Sequence, residues 1–280
     1  MTASLKSAKF SSRYKLPALG TLIFIGFIGI LLTLAVYPLA EWQTISPDRF
    51  AGISLEHPLG TNALGQDIAS RAEKASWHSL RIGFLVALCA GLLGVSLGLL
   101  SGWYAGRWPD TVILWLTGVM EAIPFYLFVA ALAYALRQFN WSMELAMVIT
   151  FWTTMARLIR AEVIRLKQRD FILSARAIGL SPGRTLTAHI LPNTLPVLLV
   201  QLSMIFIAAI KAEVILSFLG LGNNSNISWG QMISESTHEV ISGHYMNFVS
   251  ASILLFMLIY SISLITDSLQ TRSDPRQGIA

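Results

Sequence analysis

Apolar runs long enough to cross a bilayer alternate with polar connections along this chain. Residues 16–40, 82–106 and 245–266 carry no charged side chain, and 111–136 is interrupted only by Glu121. The run 141–164 holds Glu144 near one end and Arg157, Arg160 and Glu162 near the other, and 193–221 holds Lys211 and Glu213. A hydrocarbon core asks for about 20 apolar residues per helix. The pattern therefore predicts an all-α, polytopic membrane helix bundle of six transmembrane helices. The first run exceeds the roughly 7–15 apolar residues of a signal peptide and has no clean small-residue cleavage site after it, so it is expected to stay as a helix.

Composition sharpens this. The chain is 54% hydrophobic and 12% charged, against roughly 45–50% and about 25% in soluble domains. Disorder, a nucleic-acid-binding basic domain and an ordinary soluble enzyme are excluded. With both termini placed in the cytoplasm, the inner side holds Lys6, Lys9, Arg13, Lys15, Arg107, Arg157, Arg160, Arg165, Lys167, Arg169, Arg176, Arg184, Arg272 and Arg276. The outer side holds only Arg49, Arg71, Lys74, Arg81 and Arg137. Basic residues accumulate on the cytoplasmic side of membrane proteins, so this orientation is favoured. The lone Cys89 excludes an intramolecular disulfide and is expected to be a buried small hydrophobe.

Inside the spans, Gly94, Gly98, Gly102 and Gly106 recur every four residues. At 3.6 residues per turn they form a strip where another helix backbone can approach. That helix belongs either to this chain or to a partner or moving gate. Glu121, Glu144, Lys211 and Glu213 are ionisable groups at or within apolar runs, which normally face a partner or a cavity. Glu121 stands near Pro124, where a broken hydrogen-bond ladder could widen a pore, and Glu121, Lys211 and Glu213 are the possible pathway or gate residues. Lys211 and Glu213 diverge by about 200° on a helix and do not suit each other as partners. Pro109–Asp110 and Phe139–Asn140 mark short connections. The outer loop 41–77 is mixed and acidic. The outer loop 223–244 carries Glu235, His238, Glu239 and His244, either a wet loop or a weak metal site.

The inner loop 165–192 is basic and carries the most local information. Asp170 is placed to cap a short helix through Ala177, and Gly179 to end it in a left-handed conformation. Ser181 and Pro182 restart a second helix toward Ile190, and Pro192 begins the next span. The first helix combines small groups at Ser174, Ala175 and Ala177 with apolar Phe171, Ile172, Leu173 and Ile178, which suits a groove on another protein or a lipid surface.

From Ser174 through Gly179 to Ile190-Leu-Pro-Asn193, this loop resembles the E-A-A…G…I-x-L-P loop of ABC-importer permeases. His57-Pro-Leu-Gly-Thr-Asn-Ala-Leu-Gly-Gln-Asp67 with Ser70-Arg71 resembles the H-x-L-G-T-D-x-x-G-R-D-x-x-S-R segment of the dipeptide/oligopeptide/nickel permease family. Glu213-Val-Ile-Leu-Ser-Phe-Leu-Gly-Leu-Gly222 with Ser228-Trp-Gly230 resembles its E-A-S-L-S-F-L-G-L-G…W-G segment, and Thr266-Asp-Ser-Leu-Gln270 with Asp274-Pro-Arg276 its G-D-x-L-R…D-P-R ending. These stretches cover most of the chain from about residue 55 onward. The sequence departs at Leu173, where the family has glutamate, and at Ser174, Asn62, Gln66 and Trp77.

The resemblance implies a type I ABC importer permease fold, with an N-terminal tail, first span and outer loop over 1–77 and a five-helix core over 78–280. It implies a subunit in the bacterial inner membrane that pairs with a homologous second permease, two cytoplasmic ATPases and a periplasmic or extracellular substrate-binding protein. Asp170, Ser174, Ala175, Arg176, Gly179, Arg184 and Pro192 would form the ATPase-coupling loop. The cargo expected is a dipeptide or oligopeptide, with nickel, another metal chelate, an opine or haem as alternatives. The chain has no G-x-x-x-x-G-K-[ST], so ATP and Mg would sit on the partner ATPases, with no cofactor or catalytic residue here. A secondary transporter would instead show two related halves with discontinuous spans, and none is evident. No nucleic-acid partner is expected.

Overall fold

The computed structural model describes the backbone of residues 2–222 and 226–273, and the side chains of 18–222 and 226–271. The basic side chains before residue 18, Asn223, Asn224, Arg272 and the Asp274-Pro-Arg276 ending lie outside the described residues. The helices are α1 (Thr2–Val36), α2 (Ile68–Trp103), α3 (Trp108–Glu121), α4 (Phe125–Ala135), α5 (Ser142–Leu166), α6 (Asp170–Ala177), α7 (Pro182–Thr185), α8 (Leu191–Phe218), α9 (Trp229–Ile241) and α10 (Met246–Ser273). A π-helical turn, Leu186–Ile190, joins α7 to α8. The only β-pairing among the described residues is an isolated bridge between Thr61 and Asp67.

The chain is all-α, and its candidate spans differ in length, apolarity and continuity. Among the described residues, four stretches are long and apolar enough to cross a membrane: Ala18–Val36, Ile68–Trp103, Pro182–Phe218 and Met246–Thr271. The expected third span is two helices, α3 and α4, bent by 94° at the break, and counts as a fifth only if taken as one broken span. Pro124 explains the break: it donates no backbone hydrogen bond and disfavours helical geometry at Ile123. The fourth run forms α5, 25 residues long. Its charged residues keep it out of the strongly apolar class.

Backbone contacts divide the chain into two compact units. One comprises Met1–Gly83 and Ile207–Thr271, the other Phe84–Phe206. In the first, Gly20 of α1 lies against α10, where an added Cβ would stand 2.8 Å from Leu264 Cβ. Phe27 is fully buried and packs edge-on against Trp229, ring centroids 6.4 Å apart.

In the second unit, the glycine strip of α2 packs against α5. An added Cβ would meet Met155 Cβ at 2.6 Å from Gly94, Ala156 O at 2.6 Å from Gly98, and Val163 Cβ at 2.6 Å from Gly102. The strip serves packing within this chain. Gly106 is not part of it: it turns the chain toward α3 with φ of 79° and open space around it. Pro109 and Asp110 lie in the first turn of α3 rather than in the connection. Cys89 is exposed, not buried. It shares its face of α2 with exposed Leu88, Leu92 and Leu93, an apolar surface suited to lipid.

Candidate functional site

The inner loop forms the helix–turn–helix anticipated, with corrections at its caps. Arg169 occupies the N-cap of α6 and no side chain caps it; Asp170 is the first helical residue. Gly179 has φ of 84°. Its N–H donates to Arg176 O and the Leu180 N–H to Ala175 O. This double closure is a Schellman motif, which needs a left-handed residue at that point. Ser181 is the N-cap of α7 with Pro182 just inside, although the serine hydroxyl makes no cap bond.

Pro192 does not begin a new helix. The chain is helical without interruption over Pro182–Phe218. The π-helical turn preceding Pro192 lets the Leu191 N–H reach back to Leu186 O. Such a turn widens the helix just where the proline ring would crowd it. Asn193 Nδ2 donates to His189 O at 2.6 Å.

Two faces divide α6. Ile172 and Ala175 are buried, whereas Phe171, Leu173, Ser174, Arg176, Ala177 and Ile178 are exposed. Ala175 therefore anchors the helix from within and does not belong to its outward surface. Leu173, standing where a glutamate was expected, is 49% exposed, and Ile178 is 78% exposed. Arg184 is exposed on α7.

The loop is tied to the C-terminal end of α2 through Trp103. Lys167 Nζ donates to Trp103 O at 2.6 Å and lies 5.2 Å from the indole centroid, and the Arg176 guanidinium lies 5.8 Å from it. Burial, and then the charges of Arg176 and Arg107, hold the Lys167 ammonium below its ordinary pKa. Nearby, buried Asp110 takes Arg160 Nε at 2.6 Å and Nη2 at 2.8 Å, Ser101 Oγ at 2.5 Å and Gly106 N–H at 2.8 Å. This clamp binds the α2 terminus, the turn and α3 to α5. Sequence reasoning missed it. Its visible signal was an acid one turn past a glycine turn, with an arginine inside an apolar run.

Of the intramembrane charges, Glu121 is ion-paired with Arg157 of α5. Lys211 is exposed and Glu213 is buried, on different faces as their spacing demanded. Ser217 Oγ donates to Glu213 Oε1 at 2.6 Å.

The outer segments are more ordered than loops. The end of the first outer loop belongs to α2, which Asp67 caps by accepting the Ser70 N–H at 2.7 Å, while its other oxygen meets His57 Nδ1 at 2.8 Å. Residues 229–241 form helix α9, capped by Ser228. Arg71 pairs with Glu235 and Gln66. Glu239 accepts from Ala63 N–H at 2.9 Å and Asn247 Nδ2 at 3.0 Å, and His244 stacks on Phe50 at 3.8 Å. These contacts separate the members of the His/Glu cluster, and among the described residues no group of three such side chains could hold a metal ion.

Residues 94–279 match the family described as binding-protein-dependent transport system inner membrane component. The chain belongs to that family. Its relatives include the dipeptide transport system permease protein DppC of Alkalihalophilus pseudofirmus, 34% identical over 94% of this chain and 86% of that protein. DppC of Bacillus subtilis is 31% identical over 80% and 70%, and the oligopeptide transport system permease protein OppC of Mycobacterium tuberculosis is 30% identical over 79% and 76%. Among solved structures, the MetNI methionine ABC transporter in inward-facing conformation superposes with a TM-score of 0.59, at 17% identity over 71% of this chain and 94% of that one. An amino acid ABC transporter with histidines gives 0.54, at 17% over 72% and 94%. The permease thus has the fold of type I ABC importer membrane subunits and is a multi-pass membrane component of a transport system.

Proposed function

We propose that this permease is the membrane half-channel of an ATP-driven importer of dipeptides or oligopeptides. The observation carrying the cargo is the match, over 79% to 94% of the chain, to permeases named for dipeptide and oligopeptide transport. It works beside a homologous second permease, two cytoplasmic ATPases that hold ATP and Mg, and an external substrate-binding protein, in the bacterial inner membrane with both termini cytoplasmic. The outward face of α6, with Phe171, Leu173, Ser174 and Ile178, seats in a groove of one ATPase. Asp170, Arg176, Gly179 and Arg184 shape or flank that seat, and Pro192 leads from it into α8. An apolar leucine in place of an acid makes this contact one of shape and burial rather than of charge.

Motion of the ATPase then has two rigid routes inward. One is the Arg176–Trp103–Lys167 contact to α2, and the other is the unbroken helix from Pro182 to Phe218. Glu121, Lys211 and Glu213 are the pathway candidates, of which Glu121 has the strongest claim.

Affinity purification of the tagged permease from its native membrane tests the assembly. It should bring down a second permease and nucleotide-hydrolysing subunits. Vesicles carrying that complex, given its binding protein and ATP, should accumulate labelled dipeptide. A permease that purifies alone, or vesicles that never take up peptide, would overturn the reading.

A further inference from the structure

α5 presents an unusual exposed face. Thr154, Arg157, Ala161 and Arg165 are exposed along it, at helical spacing, while Met155, Ala156, Ile159 and Val163 on the opposite side are buried. The exposed faces of α2 and α3 carry Leu88, Leu92, Val112, Trp115 and Val119, as hydrocarbon requires. The exposed face of α5 is small and polar instead. Arg157 lies nine residues before the inner end of α5 at Leu166, about 14 Å along the axis. Its side chain is 52% exposed, and that of Glu121 is 33% exposed.

A half-exposed ion pair within an apolar run is costly against lipid. An arginine can reach for the nearer headgroups, but here its guanidinium is spent on Glu121, the last residue of α3, beside the 94° break. Neighbouring Arg160 is the contrast: it is directed into the Asp110 clamp and holds structure together. Arg157 contributes to no such clamp.

We infer that this face of α5 is a wall of the translocation pathway, where Arg157 receives the carboxylate of the passing solute and Glu121 is the placeholder anion it leaves. The inference rests on the peptide reading for its cargo. Every unmodified peptide carries a terminal carboxylate whatever its side chains, and a guanidinium fork takes a carboxylate through two parallel hydrogen bonds. A station of this kind passes many sequences. The exchange moves no covalent bond: one carboxylate replaces another on the same cation, so the arginine is never left bare.

The test uses the assembled complex with Cys89→Ser and a probe cysteine, Ala161→Cys, one turn from Arg157. Reaction rates are measured with a negatively charged sulfonatoethyl and a positively charged trimethylammonioethyl thiosulfonate. Both should react. The anion-to-cation rate ratio should rise in Glu121→Gln and fall in Arg157→Gln, each by about threefold or more relative to the intact pair. In the same variants, Arg157→Gln should lose dipeptide uptake, Arg157→Lys should keep part of it, and Glu121→Gln should lose less of it than Arg157→Gln does. A probe unreactive to both reagents would place the face against lipid or a second subunit and overturn the inference. So would a ratio that ignores the pair, or equal loss of uptake in Arg157→Gln and Glu121→Gln with full rescue by the swap Glu121→Arg/Arg157→Glu, the behaviour of a brace. A charge-dependent ratio in a complex that takes up no dipeptide would uphold the anion station and overturn the peptide cargo alone.

Discussion

A methyl group at Gly98 would stand 2.6 Å from Ala156 O, whereas one at Gly118 of α3 would meet nothing within 4 Å. The two glycines look alike in the sequence and differ only in what lies opposite. Gly98→Val should therefore destabilise the protein by about 1–3 kcal/mol, since close-packed helices cannot part locally. Gly118→Ala should be neutral or stabilising by up to about 1 kcal/mol through helix propensity. Thermal unfolding of both variants in one detergent checks the contrast, and equal midpoints would refute it. Sequence spacing alone found the strip at Gly94, Gly98 and Gly102 but wrongly extended it to Gly106. A four-residue period cannot reveal that the helix ends at Trp103. The buried setting given to Cys89 failed similarly, because in a membrane protein the apolar residues face outward as well as inward. Asp110 and Arg160 were simply two charges near span ends, and their clamp exists only because three chain segments meet there.

At the level of elements, the inner loop was the most legible part of the chain. Gly179, Ser181 and Pro182 are local signals whose physics is settled within a few residues. The outward side of α6 was less legible, because burial of Ala175 depends on what packs beneath it. Gly179→Trp should leave the protein in the membrane but abolish transport and the coupling of ATP hydrolysis to it. The substitution forces a side chain into the left-handed region and fills the seat beside α6. Leu173→Arg should give the same uncoupling without touching the turn. Uptake and ATPase rates of the assembled complex measure both, and normal uptake in either would remove α6 from the coupling role. The sequence points to a broken hydrogen-bond ladder at Pro124 in the third span, but not to the 94° bend that separates α3 from α4. A proline in an apolar run either kinks a helix or ends it, and neighbouring packing decides between them.

For the whole molecule, the distribution of lysine and arginine makes a sharp expectation about sidedness. A cysteine at residue 226, just before the capped helix α9, should react with impermeant thiol reagents from outside. A cysteine at residue 184, exposed on α7, should react only from the cytoplasmic side. The reverse pattern would invert the topology and remove the ATPase seat from the inner loop. The outer segments, anticipated as polar loops, are organised by Arg71–Glu235 and by Glu239 between Ala63 and Asn247. Arg71–Glu235 and Glu239–Ala63 join residues more than 160 positions apart, and no periodicity encodes them.

The sequence by itself determined the class of the protein: apolar runs of bilayer length, basic residues gathered on alternate connections, and a glycine-ended helix between two of the runs. Each follows from the solvent a residue must meet or from backbone freedom at one position. Only the tertiary structure decided which charges are clamps and which stand exposed, where a long run breaks, and which side of α6 faces outward. Those outcomes depend on the neighbour across the contact, and a linear pattern names the side chain but not the partner.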